Sequence, residues 1–252
     1  MYFDTHAHYD DEAFQDNRFS LLASLPEKGV DLIVNPGCDE KSSREAMGFA
    51  ERYPHVYAAV GWHPQAAGEW NGESPALLRE WAKQDKVVAI GEIGLDYHYE
   101  DYPRDVQRQT LEAQLCLAQE LELPVIIHDR DAHGDCMELV RQFKGLRGVF
   151  HCYSGSPEMA AELLSLGWYL SFTGAITFKN ARRALETIEM MPMDRIMIET
   201  DSPYLTPVPF RGKRNDSTML PYIAQTIADI KGLSAEEVAA VTMENGKRFF
   251  GI

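Results

Sequence analysis

A (β/α)8 barrel, folded as a single domain over residues 1–252, is the architecture this sequence predicts. Three observations predict it. Eight short apolar or β-branched runs recur along the chain, helical patterns lie between them, and 252 residues suit a barrel that closes as one unit. No internal repeat, low-complexity tract or Ser/Gly linker divides the chain.

The first run is YFDTHAH (2–8), followed by VDLIVNPGC (30–38), VYAAVGWHP (56–64) and VVAIGEIGLD (87–96). PVIIHDRD (124–131), RGVFHCYS (147–154), WYLSFTGAI (168–176) and RIMIETDSP (195–203) complete the eight. Near-continuous apolar runs are what a parallel sheet covered on both faces requires. Between them, residues 104–122 carry Leu111, Leu115 and Ala118 at helical spacing, with Leu117 and Leu121 alongside. In 157–166, Ser156 suits an N-cap, Pro157 the first turn and Gly167 a left-handed end. Ser234 and Glu237 form the ends of a capping box that opens a last helix toward Phe249. Strands alternating with helices imply right-handed βαβ units. The alternative is a doubly wound open sheet, but no Gly-rich phosphate fingerprint follows the first strand.

The formal charge is −15 and the pI about 4.9. Such a surface disfavours sequence-independent binding to a long polyanion, which needs Lys and Arg for its phosphates. It leaves an anionic substrate open, because bound divalent cations reverse the field at one site. Cys38, Cys116, Cys136 and Cys152 show no C-x-x-C spacing, so reduced thiols are expected over a disulfide framework, with one bridge left open. No apolar run is long enough to cross a bilayer, and the start lacks the basic and apolar segments of a signal peptide. The expected location is the cytoplasm, with no membrane association and no obligate protein partner.

The chemistry-bearing residues sit where a barrel places its active site, at the C-terminal ends of strands. His6 and His8 share one face at i, i+2 in an extended strand. His63, Glu92, His128 and His151 end the third to sixth strands, and Glu199 and Asp201 end the eighth. One histidine at a strand end is ordinarily a hydrogen-bonded rim residue. Several independent strands delivering donors to one mouth make a metal centre. The donors exceed what one tetrahedral ion uses, whereas two ions sharing a bridging carboxylate would use them all. Imidazole-rich ligation favours Zn, Mn or Fe over Mg on intrinsic affinity.

The motifs DTHAHYD, GWHP, GEIGLDY, PVIIHDRDA, FHCYSGS, SFTGAITF, IETDSPYLTP and FRGKRND together resemble the TatD family of metal-dependent deoxyribonucleases, a branch of the amidohydrolase-type barrels. They span nearly the whole chain in the family's order. Ala7 stands where the family often has Cys, at a position expected to point away from the metals. The resemblance implies two divalent ions (Mg, Mn or Zn): His6 and His8 with Asp201 on one, His128 and His151 on the other, and Glu92 bridging. It implies His63, Arg211, Lys213 and Asn215 as substrate-binding residues and Asp201 as the catalytic base, acting on DNA ends or oligonucleotides. Arg214 reads as a solvated charge, and His55, His98 and His133 as surface residues. Cys152 reads as packing, and Trp62 and Tyr204 as candidates to stack on a base. The rival within enzymes is a metal-dependent esterase or amidohydrolase acting on a small metabolite or aminoacyl group, since fold does not fix substrate. A metal-binding scaffold without turnover is the rival outside enzymes; Asp201 beside a full ligand set argues against it.

Overall fold

A computed structural model describes residues 1–99 and 102–252. The eight predicted strands form one parallel sheet in chain order: β1 (Tyr2–Asp4), β2 (Val30–Pro36), β3 (Val56–Val60), β4 (Val87–Asp96), β5 (Val125–Arg130), β6 (Gly148–Phe150), β7 (Tyr169–Phe172) and β8 (Ile196–Ile198). Just beyond β1 and β8 the two ends of the sheet meet. The Thr5 amide donates to Ile198 O at 3.3 Å, and Ala7 and Ser202 form a parallel bridge. The result is a (β/α)8 barrel rather than an open doubly wound sheet. Most of the sequence runs overshoot their strands at the C-terminal end, by four residues (173–176) in WYLSFTGAI, whose strand β7 ends at Phe172. The physical reason is common to them: the polar tail of each run has left the ladder to build the mouth of the barrel.

Among the described residues the α-helices are α1 (Arg18–Ser24), α2 (Glu40–Arg52), α3 (Ser74–Trp81), α4 (Arg104–Glu120), α5 (His133–Val140), α6 (Pro157–Ser165), α7 (Arg182–Met190), α8 (Leu220–Lys231) and α9 (Ala235–Phe250). The predicted punctuation is present. Ser156 accepts from the Met159 amide at 3.2 Å, Gly167 has φ +84°, and the Ser234–Glu237 capping box is made from both sides. Leu111, Leu115 and Ala118 of α4 are buried against β4 and its neighbours.

The barrel is filled rather than hollow. Phe3, Val34, Ala59, Ile126, Val149 and Met197 form one apolar cluster with Met243, Phe249 and Phe250 of α9. The α9 aromatics cap the end opposite the polar strand tails, and Asn245 ties the helix to Met193 O and Ile196 O. Burying each such side chain contributes about 1.5–3 kcal/mol. One end is thereby sealed by hydrophobic packing, leaving the other for chemistry. No described helix is long and apolar enough to cross a membrane.

Candidate metal centre

The open end holds a cleft of about 820 Å³ with Glu92 at its floor. Gly94 makes this floor possible. Its φ is +153°, and a Cβ there would lie 1.9 Å from the His128 carbonyl oxygen, so only glycine lets β4 approach β5 this closely. The two oxygens of the Glu92 carboxylate face different partners. Oε2 lies 3.3 Å from His6 Nε2 and 3.4 Å from His8 Nε2, and these two nitrogens are 3.0 Å apart. Asp201 Oδ1 lies 3.8 and 3.7 Å from the same two nitrogens. Oε1 of Glu92 lies 2.7 Å from His128 Nδ1, 2.8 Å from His151 Nε2 and 3.6 Å from His63 Nε2.

The barrel seam fixes the first group. The Asp201 amide donates to His6 O at 2.9 Å and the His8 amide to Ser202 O at 2.8 Å, so both histidines and the aspartate are set by one stretch of backbone pairing. Asp201 has φ +52°, a left-handed conformation that Asp tolerates better than most residues.

The donor chemistry fits divalent ions. Nε2 of His6 and Nε2 of His8 cannot both present lone pairs to one another at 3.0 Å without something positive between or beside them. Donor atoms bound at about 2.0–2.3 Å to a common ion sit roughly 3–3.7 Å from one another, close to the 2.7–3.8 Å separations of the two groups. A third convergence, of His6, His151 and Glu199, does not read the same way. Both Glu199 oxygens are already occupied: Oε1 accepts from the Cys152 amide at 2.7 Å and faces His151 Nδ1 at 3.3 Å, while Oε2 accepts from Ser171 at 2.6 Å. Glu199 orients His151 from behind, as carboxylates do for metal-binding imidazoles.

The electrostatics agree with that division. Burial alone would push Glu92 up, but His151, His6 and the other imidazoles outweigh it and hold the carboxyl well below its usual range. Burial lowers His6, helped by His151, and lowers His63 to about 3 with help from His128. Burial opposes charge on His151 as well, yet Glu92 and Glu199 raise it well above an ordinary imidazole. Asp201 is raised by burial, which the surrounding histidines only partly offset. His63 Nδ1 accepts from the Gln65 amide at 3.1 Å, so the neutral ring carries its proton on Nε2, facing the cleft.

Comparison with known proteins accords with this geometry. The family model described as TatD related DNase matches residues 3–251. The chain belongs to the TatD family. It is 42% identical over 254 residues to an uncharacterized metal-dependent hydrolase, YabD, of Bacillus subtilis, covering 100% of both chains. It is 34% identical over 260 residues to the 3'-5' ssDNA/RNA exonuclease TatD of Erwinia tasmaniensis, covering 99% of this chain and 100% of the relative. The crystal structure of YJJV, a TatD homolog from Escherichia coli K12, superposes with a TM-score of 0.93 at 28% identity, covering 100% of this chain and 98% of that one.

Within this TatD family fold the residues expected at the site divide. His6, His8, His63, Glu92, His128, His151 and Asp201 converge as described. Asn215 does not join them. It is fully buried, and its amide donates to Thr200 O at 2.9 Å and Tyr204 O at 2.6 Å, tying down the loop after β8. Arg211 and Lys213 are exposed but do not line the cleft. The Arg211 guanidinium lies 3.9 Å from the Phe178 ring centroid and Lys213 Nζ 5.6 Å from that of Phe210, so each stacks on an aromatic of its own neighbourhood. Arg214 is exposed yet engaged, donating to Ala13 O at 2.8 Å and Asn17 Oδ1 at 2.9 Å.

Trp62 is 2% exposed and stacked on Trp81 at 5.8 Å, which makes it core. Tyr204, 55% exposed, does line the cleft. Cys152 lines it too, against expectation. β6 ends at Phe150 and Cys152 has φ +43°, so strand alternation no longer governs where its side chain points. Ala7 is buried in a separate apolar cluster, away from the cleft. His55, His98 and His133 lie outside the cleft lining. Sequence reasoning counted Glu199 among the strand-end donors without foreseeing that it orients His151, and it gave no role to Asp96, whose Oδ2 faces His128 Nε2 at 3.2 Å. It also passed over Arg130 and Tyr99, which both line the cleft. For Glu199 and Asp96 the only available signal was position at a strand end.

Proposed function

We propose that the whole chain, 1–252, is a single TatD-like hydrolase barrel that cleaves DNA phosphodiesters from strand ends with two divalent ions. The observation that carries this reading is Glu92, whose two oxygens face two separate sets of imidazoles. His6, His8 and Asp201 would hold one ion, His128 and His151 the other, and Glu92 would bridge. Mg, Mn and Zn are the candidates, with the imidazole count favouring Mn or Zn. When bound, such ions lower the pKa of water and stabilise negative charge on phosphoryl oxygens.

The chain's own groups supply the rest. Asp201 orients the attacking water and accepts its proton, work suited to a carboxylate that lies beside His6 and His8 at the mouth of the cleft. Nε2–H of His63 donates to a non-bridging phosphate oxygen. Asp96 and Glu199 hold the imidazoles of His128 and His151 in place. The free cysteines fit a reducing cytoplasm.

A second reading, hydrolysis of a carbonyl ester or amide, is favoured by one observation. Among the described residues eight carboxylates line the cleft against one arginine, a poor environment for an extended polyanion. A chelator-sensitive assay on single-stranded DNA ends and on p-nitrophenyl esters separates the two. Metal-dependent release of nucleotides is the expected result. Turnover of esters with none of oligonucleotides would replace the nuclease reading by the second one.

A further inference from the structure

We propose that Arg130 and Tyr99 form a nucleotide subsite beside the metal centre: Arg130 holds the phosphate adjacent to the scissile one, and Tyr99 lies against its base. This rests on the phosphodiesterase reading above. Arg130 ends β5 two residues after His128, so both side chains leave the strand on the same side, and both line the cleft. Outward from Glu92 stands His128, with Asp96 against its far nitrogen, and Arg130 follows two residues further along β5. Arg130 is therefore offset from the reacting centre by one side-chain layer, the place of a neighbouring phosphate rather than the scissile one.

Charge gives the second argument. Among the described residues Arg130 is the only Lys or Arg lining the cleft. Elsewhere on the surface Arg79, Arg108, Arg141 and Arg182 each pair with a carboxylate, whereas Arg130 pairs with none among the described residues. Among the described residues it lies against an aromatic face: the guanidinium carbon is 5.0 Å from the Tyr99 ring centroid. Such a contact holds the guanidinium over the ring, and its N–H groups, which have no carboxylate partner among the described residues, can meet the paired oxygens of a phosphate. Tyr99 is 45% exposed and also lines the cleft, so part of the ring remains open to a nucleobase.

The test uses the full chain supplied with Mn and a set of tetranucleotides, each carrying one neutral methylphosphonate at a defined linkage. In the parent, neutralising one linkage that flanks the cleaved bond should lower kcat/KM roughly tenfold or more, the scale of a charge-assisted hydrogen bond. In Arg130→Ala that penalty should shrink to about twofold or less, because the phosphate has already lost its partner. Equilibrium binding of a cleavage-resistant phosphorothioate tetranucleotide gives an independent readout. The slope of log affinity against log salt should fall by about 0.7 in the variant, one single-strand phosphate contact. An abasic site at the same nucleotide should weaken the parent roughly tenfold and Tyr99→Ala much less.

If Arg130→Ala keeps the parent's full discrimination at every flanking linkage, the subsite is overturned while the nuclease reading stands. Loss confined to the scissile linkage overturns it equally, by assigning Arg130 to the reacting phosphate. A parent that cleaves no oligonucleotide in the presence of metal removes both readings.

Discussion

Glu199 offers the sharpest test of how the metal centre is held. Its carboxylate faces His151 Nδ1 and accepts from the Cys152 amide and the Ser171 hydroxyl, so three groups depend on it. Glu199→Gln keeps an acceptor for the imidazole and the amide, and its NH2 can donate to Ser171, so it removes little but charge. Glu199→Leu removes all three partners and leaves the tautomer of His151 unset. Replacing a carboxylate behind a metal-binding imidazole typically costs 10–100-fold in metal affinity, or about 1.4–2.7 kcal/mol. Gln should fall near the lower end, about tenfold, and Leu near the upper, about a hundredfold. Leu should also lower stability by about 1–3 kcal/mol for each buried group left unpaired. Calorimetric titration with Mn, alongside urea unfolding of the chelated protein, reads both quantities. The weakening should fall mainly on the ion at His128 and His151, since His8 and Asp201 make no contact with Glu199. Parental affinity at both ions in Glu199→Leu would refute the orienting role. Equal losses in Gln and Leu would mean that charge alone matters and the hydrogen bonds do not.

Four further outcomes are expected. Asp201→Asn should keep the fold and lower kcat by about 10²–10⁴-fold at matched metal occupancy, and near-parental turnover would count against it as the base. Glu92→Ala should lose both ions together on elemental analysis, and retention of two per chain would remove the bridge. Arg211→Ala with Lys213→Ala should leave oligonucleotide kinetics within about twofold, because neither residue lines the cleft; a large loss would bring that loop into the site. Asp4 is buried and its carboxyl pushed up to about 7 by that burial, so the stability tied to its protonated form is full below about pH 4 and lost as pH rises through 7. Urea unfolding of the chelated protein should therefore show Asp4→Asn gaining on the parent by about 2.5 kcal/mol between pH 5 and pH 8, and parallel pH profiles would exclude the effect.

The barrel was legible because a parallel sheet covered on both faces demands apolar runs, and eight of them survive in the sequence with their order intact. His6, His8, Glu92 and His128 were legible for a related reason: a polar side chain ending an apolar run has little other use. What the sequence could not show is direction beyond the strand. Asn215 and Arg211 sit in a motif-rich loop, but the loop folds back on Thr200 and Phe178, and no periodicity reports such a fold. Cys152 escaped because a single positive φ turned it toward the cleft. Arg130 escaped for the opposite reason. An arginine among acidic neighbours in HDRD reads as a solvated charge until its partners are known, and its partner, Tyr99, comes from a different strand's loop.

The charge of the cleft connects these observations. Eight carboxylates among the described lining residues repel any phosphate, and one guanidinium does not reverse that field. Two divalent ions would reverse it locally, at the floor around Glu92, while Asp10, Asp11, Asp39 and Glu69 keep the rest of the lining negative. With a screening length of about 8 Å at physiological salt, attraction reaches a phosphate near the ions and Arg130 but no further along a strand. A polynucleotide can therefore be held over its last one or two phosphates and is pushed away beyond them. Such a field suits the chain-end cleavage proposed above, and under that proposal metal loading would be a precondition for substrate binding as well as for chemistry. The same arrangement reconciles a net charge of −15 with the proposed nucleic-acid substrate: the anion would be recognised where cations are concentrated, and the surface elsewhere would have no part in holding it.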